Sequence, residues 1–336
     1  MSGPHILIVG CGSAGKRHAR NLAGLGCRIT SIDPRDDRRR ELEAEIPLVG
    51  GFASLDAAIA SGEQADGVVI ASPPAFHVDQ SIEALEAGLP VLLEKPVSPA
   101  LGDAERLLET QRRTKIPLLL GYTWRWWPPM VEVRRRLGDG AIGAVRHVNF
   151  VMSAHLADWH PWEDYRSFFM ARQALGGGAL LDESHWIDLM IWFFGMPTSL
   201  SAAIDKISDL DIDTDDNVDM MLSYPDGLRV TMHLDLYGRP HQKFIRFVGE
   251  AGAMLWSENP NRIAMGAEMG ETWQETDYDC ERNDMFVEAG KEFLRVLDGA
   301  PVGTCALEDG IAVLRVVEAA RRSHGEGCVV VLGSGG

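Results

Sequence analysis

The chain has 336 residues, which is more than one ordinary hydrophobic core holds, so we expect two domains. Hydrophobic residues make up 46% of the chain and charged residues 24%, as in a soluble globular protein. The 49 acidic residues outnumber the 32 basic ones and give a net charge of −17. This excess argues against nucleic acid or an anionic membrane as a main partner, because both bind basic patches.

Five cysteines are scattered along the chain without a C-x-x-C pair, which is typical of free thiols in a reducing cytoplasm. The first residues lack the basic and then apolar segments of a secretory signal. The most apolar stretch, residues 178–196, contains several acidic residues and is therefore not predicted to cross a membrane. We expect a cytoplasmic protein.

Residues 6–9 form a short apolar run, typical of a strand that is buried in a parallel sheet. The run leads directly into a G-x-G-x-x-G loop, which consists of Gly10, Cys11, Gly12, Ser13, Ala14 and Gly15. A helical pattern follows, then a second strand at residues 29–32, and Asp33 lies about 20 residues beyond the glycines. This context predicts a dinucleotide-binding site instead of an ordinary glycine turn.

In such a site the first glycine permits the tight turn, the second lets a pyrophosphate approach the backbone, and the third lets helix and strand pack closely. The helix N-terminus faces the phosphates with its free N–H groups. Asp33 accepts hydrogen bonds from the adenosine ribose and repels a 2′-phosphate, which favours NAD over NADP. Arg35 and Arg38 follow closely and leave NADP open as the alternative.

Strands and helices alternate through the first 122 residues, which predicts an α/β fold with a doubly wound parallel sheet. Further strands are expected at residues 67–71, 90–93 and 117–120, and helices at residues 36–45, 54–60, 76–88 and 98–115. Two of these strands end at Ser72-Pro73-Pro74 and at Glu94-Lys95-Pro96. Both segments therefore belong to the edge of the sheet at which ligands bind.

Beyond residue 122 the pattern changes. We expect a helix at residues 130–137, a strand at 145–152, a polar and aromatic loop at 155–176 and a helix at 179–194. Strands and turns continue to about residue 264, and helices at 284–297 and 308–323 finish the chain. The acidic run at residues 209–216 is interpreted as a solvated loop. Counted from Asp211, the glycine and glutamate positions of an EF-hand hold Asp216 and Leu222.

Lys95 is the first candidate for chemistry, because it ends a strand beside the predicted cofactor site. A lysine at this position can hold or polarise a substrate hydroxyl and contact the nicotinamide ribose. The alternative is an ordinary surface lysine. A cis peptide bond before Pro96 is a hypothesis for how the turn is fixed.

The second candidate is a group of three polar residues on the predicted helix at residues 179–194. Asp182, His185 and Asp188 follow one another at intervals of three, so both carboxylates flank one imidazole on a helix. A histidine with a carboxylate neighbour can accept the hydroxyl proton that oxidation of an alcohol by NAD releases. The alternative is a helix N-terminus whose acids complement the dipole, with His185 as a polar cap.

The polar loop offers two further interpretations. Trp159, Trp162 and Tyr165 suit stacking on a sugar ring, or else belong to an interdomain core. His155, Asp158 and His160 could suggest a metal site with His185 as a fourth ligand, but the spacing fits no zinc pattern. No metal is predicted.

Together these motifs resemble the Gfo/Idh/MocA family (glucose–fructose oxidoreductase, inositol dehydrogenase and MocA) over nearly the whole chain. The resemblance rests on Gly10-x-Gly12-Ser13-x-Gly15-x-Arg17-His18, Ser72-Pro73-Pro74-x-x-x-His77, Glu94-Lys95-Pro96, and Gly176-Gly177-Gly178 followed by Asp182, His185 and Asp188. It implies a Rossmann domain, residues 1–122, and a substrate-binding α/β domain, residues 123–336, with a large open, mostly antiparallel sheet. The resemblance also implies a homodimer or homotetramer packed through that sheet, and the last helices are able to pack back on the first domain.

The resemblance also implies NAD(P)-linked oxidation or reduction of sugars, cyclitols or nucleotide-sugars. Lys95 is then the substrate-orienting lysine, His185 the acid/base and Asp182 its helper. The implied cofactor-binding residues are Gly10, Gly12, Ser13, Ala14, Gly15, Asp33, Ser72, Pro73, His77, Glu94 and Lys95. The implied substrate-binding residues are Lys95, Tyr122, Arg125, Trp162, Tyr165, Asp182 and His185.

One feature departs from the family pattern. Many members space the aspartate and histidine by four residues, whereas Asp182 and His185 are three apart. The resemblance therefore supports His185 more strongly than Asp182. With residues 158–166 upstream, this spacing resembles a subgroup tied to surface-sugar biosynthesis, which points to a nucleotide-linked or unusual sugar.

The sequence thus predicts an NAD-dependent sugar or cyclitol oxidoreductase. One alternative is a non-catalytic sensor that keeps the dinucleotide-binding fold for regulation. A second alternative is an enzyme that reduces a non-sugar substrate with the same cofactor. The presence of both Lys95 and His185 favours catalysis.

Overall fold

The computed structural model describes residues 3–62, 64–159, 163–268 and 272–333. The chain forms two compact units. The first contains the residues up to Trp126 together with Arg282–Ile311, and the second contains Trp127–Glu281 together with the residues from Ala312 onward. The assignment of residues 1–122 and 123–336 to a cofactor domain and a substrate domain stays a prediction.

A six-stranded sheet organises the first unit. Its order is β3-β2-β1-β4-β5-β6, and every neighbouring pair is parallel. Every residue of β1, β4, β5 and β6 is buried, because a parallel sheet is covered on both faces. The predicted doubly wound parallel sheet is confirmed, and its strands are β1 (His5–Val9), β2 (Arg28–Ile32), β3 (Gly50–Phe52), β4 (Gly67–Ile70), β5 (Val91–Glu94) and β6 (Leu118–Gly121).

Helices connect these strands: α1 (Ser13–Gly24), α2 (Asp36–Glu45), α3 (Leu55–Ala60), α4 (His77–Glu86) and α5 (Leu101–Thr114). The predicted start of α5 near Ser98 is wrong by about one turn. The Ser98 hydroxyl donates to the carbonyl of Ala100, so these residues form a turn that precedes the helix. The strand-end segments at Ser72 and Lys95 follow β4 and β5, at the carboxyl edge of the sheet.

A nine-stranded sheet organises the second unit, in the order β14-β13-β12-β11-β7-β10-β9-β8-β15. Only the β7–β10 pair is parallel among the described pairs of this sheet. This confirms the large, mostly antiparallel sheet that the resemblance implies. Its strands are β7 (Val145–Ser153), β8 (Ser199–Asp205), β9 (Asn217–Ser223), β10 (Arg229–Asp235), β11 (Gln242–Gly249), β12 (Gly252–Ser257), β13 (Arg262–Gly266), β14 (Gln274–Asp277) and β15 (Val330–Val331).

The second unit includes the helices α6 (Pro128–Gly138), α7 (Ala179–Asp182) and α8 (Ser184–Phe194). Buried residues alternate with more exposed ones along strands such as β10. Since successive side chains of a strand point to opposite faces, the buried residues share one apolar face of the sheet. Trp186 of α8 packs on this face, with its ring centroid 6.4 Å from Phe150 and 6.2 Å from Trp256.

The single helix predicted for residues 179–194 is wrong. It is broken at Glu183, whose φ of −90° and ψ of 16° lie outside the helical region. The carboxylate of Glu183 accepts a hydrogen bond from the buried indole N–H of Trp186 at 3.0 Å, and the Trp186 backbone N–H donates to the Glu183 carbonyl. Burial of Trp186 thus favours the break, and Asp182 and His185 do not share one continuous helix.

Two helices finish the fold, α9 (Asp284–Leu297) and α10 (Leu307–Glu326). Within the first unit α9 packs against α1, and Asn283 and Asn21 exchange side-chain hydrogen bonds of 2.9 and 3.1 Å. None of the described helices combines the length and the apolar character that a membrane crossing requires.

Candidate functional site

The glycine loop follows β1 and leads into α1. Gly10 has φ of 88°, and its N–H donates to the carbonyl of Ile32 at 2.7 Å. A Cβ at Gly10 would lie 2.6 Å from the backbone nitrogen of Ser72, and one at Gly15 would lie 1.7 Å from the carbonyl oxygen of Gly10. Both positions therefore require glycine for the fold itself.

Gly12 differs from its two neighbours. A Cβ there would meet only the Arg38 guanidinium, at 3.5 Å, so the fold leaves space above this residue. Gly12 precedes the first helical residue, Ser13, and the first turn of α1, which includes Ala14, carries no acidic side chain. The N–H groups of that turn and the helix dipole attract an anion. An open backbone beside a helix N-terminus fits the pyrophosphate of a dinucleotide.

Asp33 stands at the carboxyl end of β2 and is buried. Its carboxylate accepts hydrogen bonds from the backbone N–H groups of Cys11, at 2.8 Å, and Arg35, at 2.9 Å. A carboxylate accepts about four hydrogen bonds, so capacity for ribose hydroxyls is left. Burial, together with the charge of Asp33, raises the pKa of the Cys11 thiol to about 12.

His77 joins the two strand-end segments of the first unit. Its Nδ1 lies 2.7 Å from the carbonyl oxygen of Pro96, and its Nε2 lies 2.7 Å from that of Ser72. The ring is buried, and burial lowers the pKa of the imidazole. His77 thus fixes the segment that contains Ser72 and Pro73 against the segment that contains Lys95.

Lys95 follows β5 directly and is partly exposed, whereas the residues on either side of it are buried. Its backbone N–H donates to the Glu94 carboxylate at 3.3 Å, and its peptide bond to Pro96 is cis. Glu94 also pairs with His18, whose Nε2 is 2.7 Å from Oε1. Burial alone would raise the pKa of Glu94, but the hydrogen bond from His18 and the charges of His18 and Lys95 hold it below the usual value.

The second candidate group lies in the second unit. Asp182 ends α7, His185 is the second residue of α8, and Asp188 follows it by one helical turn on the same helix. Asp182 and Asp188 are buried. Of the described residues from Gly176 to Met190, only His185 is partly exposed. A reachable imidazole in an otherwise buried segment can exchange a proton with a bound molecule.

The predicted substrate residues are distributed as follows. Tyr122 is fully buried, and Arg125 forms contacts inside the first unit, to the carbonyl of Thr304 at 2.9 Å and to Asp309 at 3.2 Å. The Tyr165 hydroxyl accepts a hydrogen bond from the backbone N–H of Asp211 at 3.2 Å. Trp162 lies outside the described residues.

The interpretation of residues 209–216 as a solvated loop is partly wrong. Asp209 and Asp211 are exposed, but Asp216 is fully buried. Its carboxylate accepts the backbone N–H groups of Ile207 and Ser208 at 2.8 and 3.1 Å. The composition of the run gave no signal for this burial, because the contacts come from the fold of the chain around it.

The possible metal ligands of the polar loop have other contacts. Asp158 pairs with Arg239 through two hydrogen bonds of 2.7 and 2.8 Å, and Nδ1 of His155 accepts the backbone N–H of Ala157. His160 lies outside the described residues. Within the described ranges, no three histidine, cysteine or acidic side chains converge as a metal site would require.

Two family models match the chain. The model of the oxidoreductase family with an NAD-binding Rossmann fold matches residues 5–122. The model of the GFO/IDH/MocA C-terminal domain matches residues 130–255. The chain belongs to the Gfo/Idh/MocA family. It is therefore a member of a family of NAD-binding oxidoreductases, and the cofactor expectation from the glycine loop is confirmed.

Two curated members of the Gfo/Idh/MocA family are similar to part of the chain. The rhizopine catabolism protein MocA of Rhizobium meliloti is 30% identical over 206 residues, which cover 59% of this chain and 60% of that protein. An inositol 2-dehydrogenase of Leifsonia xyli is 30% identical over 199 residues, covering 57% of this chain and 55% of that protein. The chain spans less than two thirds of the length of these relatives.

A solved structure extends the likeness to the whole fold. The WlbA dehydrogenase from Bordetella pertussis, crystallised with NADH and UDP-GlcNAcA, superposes with a TM-score of 0.82. The superposition covers 98% of this chain and 99% of that one, at 21% sequence identity. At this identity the likeness concerns the fold alone.

Proposed function

We propose that the chain catalyses NAD-dependent hydride transfer to or from a ring carbon that carries a hydroxyl or carbonyl group. The observation that carries the proposal is Lys95: a partly exposed lysine at the carboxyl edge of the cofactor-binding sheet, fixed on both sides by buried neighbours. A lysine that only faces solvent does not require buried neighbours that fix its backbone. Membership in the oxidoreductase family agrees with this reading.

The residues of the first unit fit NAD. Gly12, Ser13 and Ala14 would hold the pyrophosphate, and Asp33 would accept the ribose hydroxyls. NAD bound there supplies the acceptor or donor of a hydride. Because Asp33 repels a 2′-phosphate, NAD is preferred, and Arg38 beside Gly12 is the residue through which NADP would be tolerated.

Two side chains handle the reacting oxygen. Lys95 donates a hydrogen bond to it and stabilises the negative charge that develops as the hydroxyl loses its proton. His185 accepts that proton during oxidation and returns it during reduction. Asp182 keeps the role of helper to His185, although a helix break separates the two residues. The imidazole of His185 must be neutral to accept the proton.

A polyhydroxylated substrate is the class that the relatives favour. One relative is named as an inositol 2-dehydrogenase, and WlbA was crystallised with a nucleotide-sugar. The loop around Tyr165 is polar and partly aromatic, as a site for a sugar ring requires. We propose a sugar, cyclitol or nucleotide-sugar as the substrate.

The test is a screen of free sugars, inositols and nucleotide-sugars with NAD or NADP. The absorbance of the reduced nicotinamide measures turnover of each substrate. His185→Asn should lose most turnover and keep NAD affinity. Arg106→Gln, an exposed change on α5, is the matched control and should behave as wild type. Tight NAD binding without turnover on any substrate class would contradict the proposal and favour a sensor.

We also propose that the protein forms a homodimer or homotetramer through the nine-stranded sheet. Met221 of β9 lies on the face opposite to the buried Met220 and Leu222 and is 56% exposed. A large exposed apolar side chain on a sheet face suits a contact between copies. Met221→Glu should shift the sedimentation coefficient toward that of a monomer, and an unchanged coefficient would contradict this assembly.

A further inference from the structure

We propose that Asp215 anchors the N-terminus of α7 and thereby positions Asp182 and His185. This inference rests on the proposed function, in which His185 moves the substrate proton. Asp215 lies in the acidic run that composition alone suggests is solvated. Its hydrogen bonds to the described residues of α7 reach the N–H groups of Ala179 and Leu180 and neither candidate residue, so its proposed role is that of a positioning residue.

Asp215 binds two consecutive backbone N–H groups of α7. Its carboxylate oxygen Oδ2 accepts the N–H of Leu180 at 2.8 Å, and its own carbonyl accepts the N–H of Ala179 at 3.0 Å. The first N–H groups of a helix have no acceptor within the helix. The residue before α7, Gly178, contributes no side-chain cap, so Asp215 supplies what a capping residue would.

The contact with Asp215 explains Gly178, and a second close approach explains Gly177. Gly178 has φ of 106°, and a Cβ there would lie 2.2 Å from Oδ1 of Asp215. A Cβ at Gly177 would lie 2.4 Å from the carbonyl oxygens of Met170 and Phe169. Any side chain at either position would push apart the segments that meet here. The glycine run thus lets the acidic segment reach the helix terminus.

Asp215 itself is held from both sides. On one side, Thr214 donates to the carbonyl of Met170 at 3.1 Å, and the carboxylate of Asp213 accepts the N–H of Gln173 at 2.6 Å. On the other side, Asp216 is buried, and β9 begins directly after it. A residue fixed between a loop contact and a strand of the sheet is a rigid reference point for α7.

The helix that Asp215 anchors is short. α7 has four residues, ends at Asp182, and is followed after Glu183 by the helix that carries His185. A helix of this length is not stable by itself, because it contains few internal hydrogen bonds, so its orientation depends on contacts with the rest of the unit. Without the anchor, the segment would lose its defined direction and His185 its defined position. A displacement of a catalytic group by about 1 Å costs about 100-fold in rate.

The experiment compares three variants of the full chain by amide hydrogen exchange and by steady-state kinetics. Asp215→Ala removes the acceptor, and Asp215→Asn keeps an oxygen in place for the Leu180 N–H. Asp209→Ala, an exposed change in the same acidic run, is the control. We expect Asp215→Ala to speed exchange at Ala179 and Leu180 and to lower kcat by about 10- to 100-fold. The loss should be larger in kcat than in KM, because proton transfer requires the exact position of His185, and NAD affinity should stay within about twofold, because the residues proposed to bind NAD belong to the first unit.

Rescue separates positioning from general destabilisation. Asp215→Asn should restore slow exchange and most of kcat, and Asp209→Ala should match wild type in both. Wild-type kcat in Asp215→Ala, or unchanged exchange at α7, would overturn the proposal. Should Asp215→Ala fail to fold, Asp215→Ser, whose shorter side chain withdraws the acceptor from the Leu180 N–H, takes its place, and wild-type exchange at α7 or wild-type kcat in that variant would overturn the proposal.

Amide hydrogen exchange can be measured without a substrate, so it tests the anchoring of α7 by Asp215 separately from the proposed oxidoreductase function. If wild type turns over no substrate of the screen, the proposed function fails. The exchange rates at Ala179 and Leu180 then still decide whether Asp215 anchors α7.

Discussion

Nε2 of His18 lies 2.7 Å from Oε1 of Glu94, and both side chains are buried. His18 belongs to the helix that follows the glycine loop, and Glu94 ends the strand that precedes Lys95. The Glu94 carboxylate also accepts the backbone N–H of Lys95. The pair therefore connects the cofactor-binding helix to the segment that carries the proposed substrate-orienting lysine.

Loss of either partner of this pair should destabilise the first unit. Glu94→Leu leaves the buried imidazole of His18 without its acceptor and should lower the free energy of unfolding by about 1–3 kcal/mol. The double variant His18→Leu, Glu94→Leu should lose less than the sum of the single losses, because it leaves no unpaired partner. Denaturant titration of His18→Leu, Glu94→Leu and the double variant measures the three losses in unfolding free energy. Strict additivity would show that the two side chains do not interact.

Gly12 and Gly15 of the loop should respond differently to a methyl group. Gly15→Ala should reduce the free energy of unfolding by about 1–3 kcal/mol, because the Cβ would overlap the Gly10 carbonyl. Gly12→Ala should leave stability nearly unchanged and weaken NADH binding, because the space above Gly12 is left for the pyrophosphate.

NADH fluorescence titration and thermal unfolding of both variants check this contrast. Gly24→Ala, at the end of α1 with no atom near its Cβ, is the control. Equal NADH affinity in Gly12→Ala and wild type would contradict the placement of the pyrophosphate.

His233 should make stability depend on pH. Its Nδ1 donates to Asp219 at 2.8 Å and its Nε2 to Asp235 at 3.1 Å. The hydrogen bond to Asp235 raises the pKa of His233 to about 9 against the opposing effect of burial, and Asp219 adds to the rise. In the unfolded chain the pKa is about 6.5. The stabilisation is therefore complete below about pH 6.5 and is lost as the pH rises through about 9.

His233→Gln tests this dependence. The difference in unfolding free energy between wild type and His233→Gln should be larger at pH 6 than above pH 9, as measured by denaturant titration. His147→Gln, on the neighbouring strand β7, controls for general histidine effects. A difference that grows with pH would contradict the assignment.

The Cys11 thiol should be unreactive although it lies in the cofactor loop. Burial and the charge of Asp33 raise its pKa to about 12, so the thiolate that reacts is scarce. Iodoacetamide at pH 8 should therefore label the exposed Cys328 before Cys11, as peptide mass mapping would show. Rapid labelling of Cys11 in the folded protein would mean that the loop opens in solution.

Local patterns made the first sheet and the glycine loop predictable. The run from Gly10 to Gly15 follows a recognisable local pattern, and the steric limit at Gly15 arises within it, from the Gly10 carbonyl, whereas the limit at Gly10 comes from the distant Ala71 and Ser72. The alternation of strands and helices likewise fixes the parallel order of the sheet.

Contacts between distant residues were not predictable from pattern. The break at Glu183 depends on how Trp186 is buried against the second sheet, and the anchor of α7 depends on Asp215, which is 35 residues away from Leu180. Arg125 was predicted as a substrate residue, and its pairing with Asp309 joins segments that lie far apart in the chain. Such contacts carry no periodic signal in the sequence.

The most direct test of the central claim is the turnover of Lys95→Met beside its NADH affinity, on the first substrate class that wild type converts. Methionine has a similar length but no charge and no N–H donor. We predict that kcat falls by at least about 100-fold, as on removal of one transition-state donor, while the NADH dissociation constant changes little. Wild-type turnover in Lys95→Met would show that this lysine does not hold the reacting oxygen and would contradict the account.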